Sequence, residues 1–488
     1  MSKNRSKIVI IVIELIVIIG LFAFIGCTKI KNENKDTAQG TSVTDKKDKQ
    51  VTVTEVPVTP TFTPEEQAEI ERLLKEEEEE KARLAAEEEA RIAAEQRAAV
   101  VETVTETTET LAAAYDYDAA IEELKAIENY EQDETVMSLI ENYETQKAAC
   151  VVWPDNSQIS HLFVHSLIVD TDRAFSKYSS QPVGYNRYMT TVDEFNRILE
   201  QMYERGYVMV SVHDMAERVT DADGNEKLVS KEIVLPEGKI PFVLSQDDVN
   251  YYQYMEKDGF ADKLVIGEDG LPTCEYIDKD GNVLYGEYDV VPIVDRFVRE
   301  HPDFAYHGHK GILAVTGYEG ALGYDTGLSL KKYDGMDEDK KMELINAERE
   351  KVIAVAEALK ADGWEFASHS YTHTNMTTNS VSKVEYDLTR WRDEVEILLG
   401  DTDIYLYPFG ADICDWRGYS GDKYDLMKQF GFWYFCNVDS ARYWVQIRDQ
   451  YMRMGRINAD GERMTLQPEK LEYFFDPETV LDKSRPAF

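Results

Sequence analysis

Two pairs of side chains in this sequence are spaced for metal chemistry. His369 and His373 stand four positions apart in Ser368-His369-Ser370-Tyr371-Thr372-His373, directly after Trp364-Glu365-Phe366-Ala367. A turn into helix here would put both rings on one face, and neutral imidazole is the commonest metal ligand in proteins. Such a pair can hold one divalent ion if a carboxylate arrives from elsewhere; without one, the rings cap a helix or sit on a polar surface. Carboxylates lie upstream, where Pro241-Phe242-Val243-Leu244-Ser245-Gln246 reads as a buried strand ending in Asp247-Asp248. Adjacent side chains leave a strand in different directions, so one acid can bind a metal while its neighbour faces the water that the metal activates. The plainer alternative is that the acidic pair only opens a loop.

Alternating strand and helix must bring these pairs together. From Trp153-Pro154 onward, 159–169 reads as a strand, and Val192, Phe195, Ile198, Leu199 and Met202 mark one helical face that Gly206 ends. A strand at 207–212 comes next, then the Asp247-Asp248 strand, a helix at 291–299, a strand at 311–315 and a helix at 342–359. Beyond the histidines come a helix at 384–399, a strand at 404–407 and a helix-strand pair over 424–437. Alternation of this kind implies an α/β fold, a parallel sheet flanked by helices. Between Asn250 and Asp289, Glu268-Asp269-Gly270 and Asp278-Lys279-Asp280-Gly281 signal hairpin turns in an insertion. Tyr251, Tyr252 and Tyr254 come soon after the aspartates, placed either to stack on a sugar ring or to pack the insertion.

In chain order, Asp247-Asp248, His369-Ser370-Tyr371-Thr372-His373 and Tyr405-Leu406-Tyr407-Pro408-Phe409-Gly410 resemble the metal-dependent polysaccharide deacetylases of carbohydrate esterase family four. The resemblance covers about residues 155 to 470. It implies a distorted (β/α) barrel of about seven units with its site at the carboxyl ends of the strands. It also implies that Asp248, His369 and His373 hold a divalent ion, zinc with cobalt or manganese as alternatives, while Asp247 is the catalytic base. A backbone N–H near Phe409 would stabilise the oxyanion, and Ser370 would orient the histidine segment by hydrogen bonding. The implied substrate is an acetylated polysaccharide of the cell wall or the extracellular space. Two departures stand out. The family often carries an arginine two positions before the proline, to position the catalytic aspartate, and here Leu406 stands there. Many relatives protonate the leaving amine with a late histidine, yet no histidine comes after His373, so the acid would be Asp247, a water or an upstream group such as His165. His161 and His165 otherwise read as packed or surface residues of the first strand. His301, His307 and His309 have no spacing that supports a second metal site.

The remainder of the 488 residues reads as an anchor and spacer. Lys3, Arg5 and Lys7 precede an apolar run at 8–25, so residues 1–27 form a signal or anchor segment that places the rest of the chain on the extracellular face of a cell membrane. Phe24-Ile25-Gly26-Cys27 also resembles a lipoprotein signal, and both readings tether the protein. Residues 28–62 read as a flexible linker, and 63–100 as a charged single helix begun by Thr63-Pro64-Glu65-Glu66, without a sustained heptad. A Thr/Glu-rich break at 101–110 leads into a small helical pair, completing 101–150, and the deacetylase-like domain spans 151–488. A net charge of −40 argues against a nucleic-acid partner. The two functions left in view are an N-deacetylase at the cell surface and a catalytically silent relative that binds glycan or an envelope partner.

Overall fold

The computed structural model describes residues 63–439 and 441–487. The expected anchor at 1–27 and linker at 28–62 lie outside the described residues, and among those described no helix is long and apolar enough to cross a membrane. The described residues fall into two units that part between Ala86 and Glu87.

Strand residues alternate between two environments, and that alternation builds the larger unit. The strands are β1 Ser160–Val164, β2 Tyr207–Met209, β3 Ile240–Gln246, β4 Ile312–Val315, β5 Glu365–Ser368, β6 Ile404–Leu406, β7 Tyr434–Val438 and β8 Tyr451–Asn458. Seven of them, all but β2, close into a parallel barrel in the order β1-β3-β4-β5-β6-β7-β8, with β8 returning to β1. Strand β2 pairs with the amino-terminal half of β3 (Tyr207 opposite Ile240), while β4 takes its far end (Ile312 opposite Ser245). The barrel is therefore split along β3. Both faces of the strands are buried, so they read as nearly continuous apolar runs. On β3, Phe242 and Leu244 join the cluster that holds Phe195, Ile198, Val294 and Leu359 of the flanking helices. Val243 joins the other cluster with Ala314, Leu406, Met452 and Met454, the filling of the bore.

Three helices, α1 (Pro64–Ala113), α2 (Tyr117–Lys125) and α3 (Glu134–Ala148), precede the barrel in the chain. The helices around the barrel lie where the apolar periodicity placed them. Helix α4 (Val192–Glu204) starts at a reciprocal Thr191–Glu194 capping box and buries Phe195, Ile198, Leu199 and Met202. Helices α5 (Val290–Glu300), α6 (Glu338–Ala361) and α7 (Val381–Trp391) come next, and α7 runs through a π-helical turn at Arg392–Glu396 to Leu399 before Gly400, at φ 89°, stops it. The hairpin signals in the insertion correspond to an antiparallel sheet of Lys263–Ile266, Pro272–Ile277 and Val283–Gly286.

Two expectations change, and one strand is new. The segment after Ser368 is a loop, not a helix, because Ser370 (φ 57°) and His373 (φ 52°) take the left-handed conformation. The expected break at 101–110 is helical, within α1: Thr103, Thr107 and Thr110 hydroxyls each donate to the carbonyl four residues back, and Thr108 is buried. Strand β8, which closes the barrel, was not evident from the sequence pattern at all.

In the smaller unit, Thr63 and Glu66 cap the start of α1 reciprocally, and Arg72 pairs with Glu69 and Glu76. Ile70, Leu73, Leu74 and Leu84 are exposed. In the larger unit, α2 and α3 share an apolar cluster with the barrel through Ala120, Leu124, Val136 and Tyr143, against Val208, Val210 and Tyr306. Leu124 is wholly buried there. Leu124→Ala should therefore lower the stability of the barrel itself by about 2–5 kcal/mol. In urea the far-ultraviolet circular dichroism and the tryptophan fluorescence should shift together, whereas a separate early helical transition would show that the helices fold apart from the barrel.

Candidate active site

The two-residue period of a strand decides what stands at the carboxyl end of the bore. Val243, Ser245 and Asp247 fall on one side of β3, Met452, Met454 and Arg456 on one side of β8, and His161, Phe163 and His165 on one side of β1 and its continuation. The bore is apolar at its base and polar at its mouth. There Arg456 forms a bidentate pair with Asp247, Nη1 to Oδ1 at 2.5 Å and Nη2 to Oδ2 at 3.0 Å, with both residues buried. Arg456 also donates to Ser245 Oγ at 3.2 Å, and Ser245 Oγ lies 2.8 Å from His161 Nε2. Burial alone would raise the Asp247 carboxyl, but the Arg456 guanidinium, then His369, outweigh it and hold the carboxyl well below the usual range. Asp247 is therefore an ionised acid inside the fold.

Asp248 would leave the strand on the opposite side, but its φ of 58° turns it back. One ligand atom from each of Asp248, His369 and His373 lies within 4.8 Å of the others, so the three residues proposed as ligands do converge. His369 Nδ1 lies 2.8 Å from the Leu406 carbonyl, which can only accept, so this nitrogen donates and Nε2 is the one left to serve as a ligand. Burial pushes the His373 imidazole down to about 4, against the pull of Asp248, so it is neutral at physiological pH. Two imidazoles and one carboxylate suit a divalent transition ion, and the donor set fits the group that the motifs imply. Asp247 Oδ2 stands 3.8 Å from His369 Nε2, beside this set.

The histidine loop is held from outside by Asp387 of α7. Its carboxylate accepts from the backbone of Tyr371 (2.7 Å) and Thr372 (2.9 Å) and from the hydroxyls of Thr372 and Thr374. Ser370 Oγ accepts from the Thr374 N–H at 2.6 Å, the orienting contact that the motif suggested. Phe409 sits in a left-handed turn after β6 (φ 58°), and its exposed ring meets His373 edge-on at 4.2 Å. Asp247, Asp248, His369, His373 and Phe409 line a cleft of about 680 Å³ together with His165, Tyr188, Asn458 and Asp460. His165 Nδ1 lies 3.1 Å from the Tyr188 carbonyl and so donates to it, leaving Nε2 for other work.

Residues 344–435 match the family model described as polysaccharide deacetylase. Over those residues the chain is similar to the polysaccharide deacetylases. Among solved structures, it is similar to the Streptococcus pyogenes deacetylase PplD in complex with acetate, at 13% identity over 67% of this chain and 100% of that one, with a TM-score of 0.33. It is also similar to a de-N-acetylase from Aggregatibacter actinomycetemcomitans (14%, 65% and 99%, 0.36) and to the BpsB deacetylase domain from Bordetella bronchiseptica (13%, 63% and 99%, 0.32). None of the curated proteins matches the chain. The likeness to that family rests on the model match and on the motifs, whose residues the barrel gathers in one cleft.

The barrel answers the first departure from the family pattern. The arginine looked for at Leu406 is replaced in space by Arg456, from a different strand of the barrel, and Leu406 is a core residue. His301 and His307 pack on aromatic neighbours and His309 pairs with Asp214, away from any ligand set. Arg456→Met should leave a buried carboxylate without its partner and cost about 3–5 kcal/mol at neutral pH. Because the folded Asp247 carboxyl is depressed, its stabilisation is complete above the unfolded value near 4 and is lost as pH falls toward the folded one. In the variant, burial raises the same carboxyl, so the gap between the two proteins in urea unfolding should be widest near neutrality and narrow on acidification. A gap that does not vary with pH would show that Arg456 contributes packing only.

Proposed function

We propose that this domain is a metal-dependent hydrolase that removes acetyl groups from N-acetylated sugars of a cell-wall or extracellular polysaccharide. The observation that carries the reading is the division of labour between two adjacent acids. Asp247 is paired to a guanidinium, whereas Asp248 lies with the two imidazoles in the same cleft.

A divalent ion held by Asp248, His369 and His373, zinc or else cobalt or manganese, would supply a Lewis acid at the mouth of the barrel. The remaining work falls to the chain. Asp247, ionised and oriented by Arg456, takes the proton of the attacking water. The Phe409 N–H, set in its left-handed turn, donates to the oxyanion that develops on the acetyl carbonyl. An amine expelled without a proton is a very poor leaving group, so a general acid is required. His165 meets that need as an imidazolium: its Nδ1–H stays on the Tyr188 carbonyl while Nε2–H passes its proton to the departing nitrogen, leaving the neutral ring. The positively flanked apolar run at 8–25 supports a location at the outer face of a cell membrane, where such a polymer is found.

Acetate release from N-acetylated chitooligomers tests this reading. The zinc- or cobalt-loaded protein should release acetate, a chelator should abolish release and added metal should restore it. Asp247→Asn and His165→Asn should each lower kcat by about 10²–10⁴-fold while still binding metal. Bound metal without acetate from any acetylated glycan would instead identify a protein that binds glycan without cleaving it.

A further inference from the structure

Tyr252 lies outside the three motifs, yet its hydroxyl donates to Asp248 Oδ1 at 2.7 Å. The geometry points to Tyr252 as a positioning residue for the metal carboxylate, an inference that rests on the metal reading above. Asp248 needs such a brace, because it stands on a left-handed residue where β3 has ended and no strand partner fixes its side chain. A carboxylate in that position is free to rotate out of the cleft unless one oxygen is held.

The tyrosine is itself held. It is only 5% exposed, and its ring stacks on Tyr318 (centroids 5.2 Å, 22°) and on Tyr254 (5.7 Å, 9°). Its oxygen lies 3.1 Å from Thr316 Oγ1, and with the phenolic hydrogen given to Asp248 that contact is a donation from Thr316. Thr316 comes directly after β4 and is tied to the same turn through Asn250, whose carboxamide donates to the Thr316 carbonyl at 2.9 Å and accepts from the Thr316 N–H at 2.9 Å. The loops after β3 and β4 thus form one rigid frame, and the Tyr252 hydroxyl is the point at which it touches the acid. With Oδ1 engaged by the phenol, the carboxylate is held where one of its oxygens lies within 4.8 Å of a ring nitrogen of each imidazole. This arrangement orders the ligand before the ion arrives.

Zinc affinity of the full-length chain, measured by competition with a chromophoric chelator, tests the role without reference to turnover. Tyr252→Phe keeps the stacked ring and removes only the hydroxyl; Tyr252→Leu removes both. If the hydroxyl positions Asp248, both variants should bind zinc about 10–100-fold more weakly than wild type, with unchanged circular dichroism. In the cobalt-loaded Tyr252→Phe protein the visible absorption bands should shift. Adding Tyr252→Phe to Asp248→Asn should then change affinity by less than about twofold, since the hydroxyl acts only through that carboxylate. Wild-type affinity in Tyr252→Phe, loss confined to the leucine variant, or an equal loss in the Asp248→Asn background would each overturn the role. A wild-type chain that takes up no zinc or cobalt would overturn the metal reading itself, whereas zinc-binding wild type with an indifferent Tyr252→Phe would overturn only the tyrosine's part.

Discussion

The ion pair between Arg456 and Asp247 is the constraint on which the rest of the site depends. A lone carboxylate at that depth would lose its charge, and a lone guanidinium in the bore would unfold the barrel's mouth. Together they require β3 and β8 to keep their registers against β1, the strand between them. A slip of one residue in either strand would send the charged partner to the helix-facing side. The chain from His161 through Ser245 to Arg456 extends the same requirement toward the apolar base. The barrel's apolar filling and its polar mouth are thus one register problem, and solving it leaves an ionised acid beside a pair of imidazoles.

Backbone strain gathers where the chemistry would occur. Asp248, Ser370, His373 and Phe409 all have positive φ without being glycine. Each such residue costs on the order of 1–2 kcal/mol, so the surrounding structure must over-determine them. Asp387 does so for the histidine loop with its cluster of accepted hydrogen bonds. Asn250 does so for the turn after β3. Gly410 stands next to Phe409 at φ 63°, and a Cβ there would come within 2.5 Å of Val438 Cβ, so the turn that presents Phe409 packs directly against β7.

The features legible in the sequence are the local ones. Asp247-Asp248 at the end of an apolar run, the histidine pair and the Pro408-Phe409 turn each stand within a few residues of the strand that places them, so their order announced both the family and the site. The helical faces at Phe195 to Met202 and the stop at Gly400 came from period and turn chemistry. The hidden features depend on distant partners. Strand β8, Tyr-Met-Arg-Met-Gly-Arg-Ile-Asn, buries two arginines, and their acids lie 209 residues away for Arg456 and 41 for Arg453, so the pattern reads as polar and not as a core strand. The histidine spacing is the same for a helix and for a tight loop, and only the left-handed residues separate them. Tyr252 was visible as an aromatic near the aspartates, but its contact with Asp248 depends on a turn that no local propensity specifies.

These features converge on one physical claim: three side chains from two strand ends form a ready ligand set for a single divalent ion, with a second, arginine-bound acid beside it that remains outside the ligand set. Anomalous scattering at the zinc edge, from crystals grown with one equivalent of zinc, examines that claim directly. The account predicts one peak enclosed by Asp248, His369 and His373, with Asp247 still paired to Arg456 next to it. No peak in the cleft, or an ion bound to Asp247 with Arg456 displaced, would contradict it.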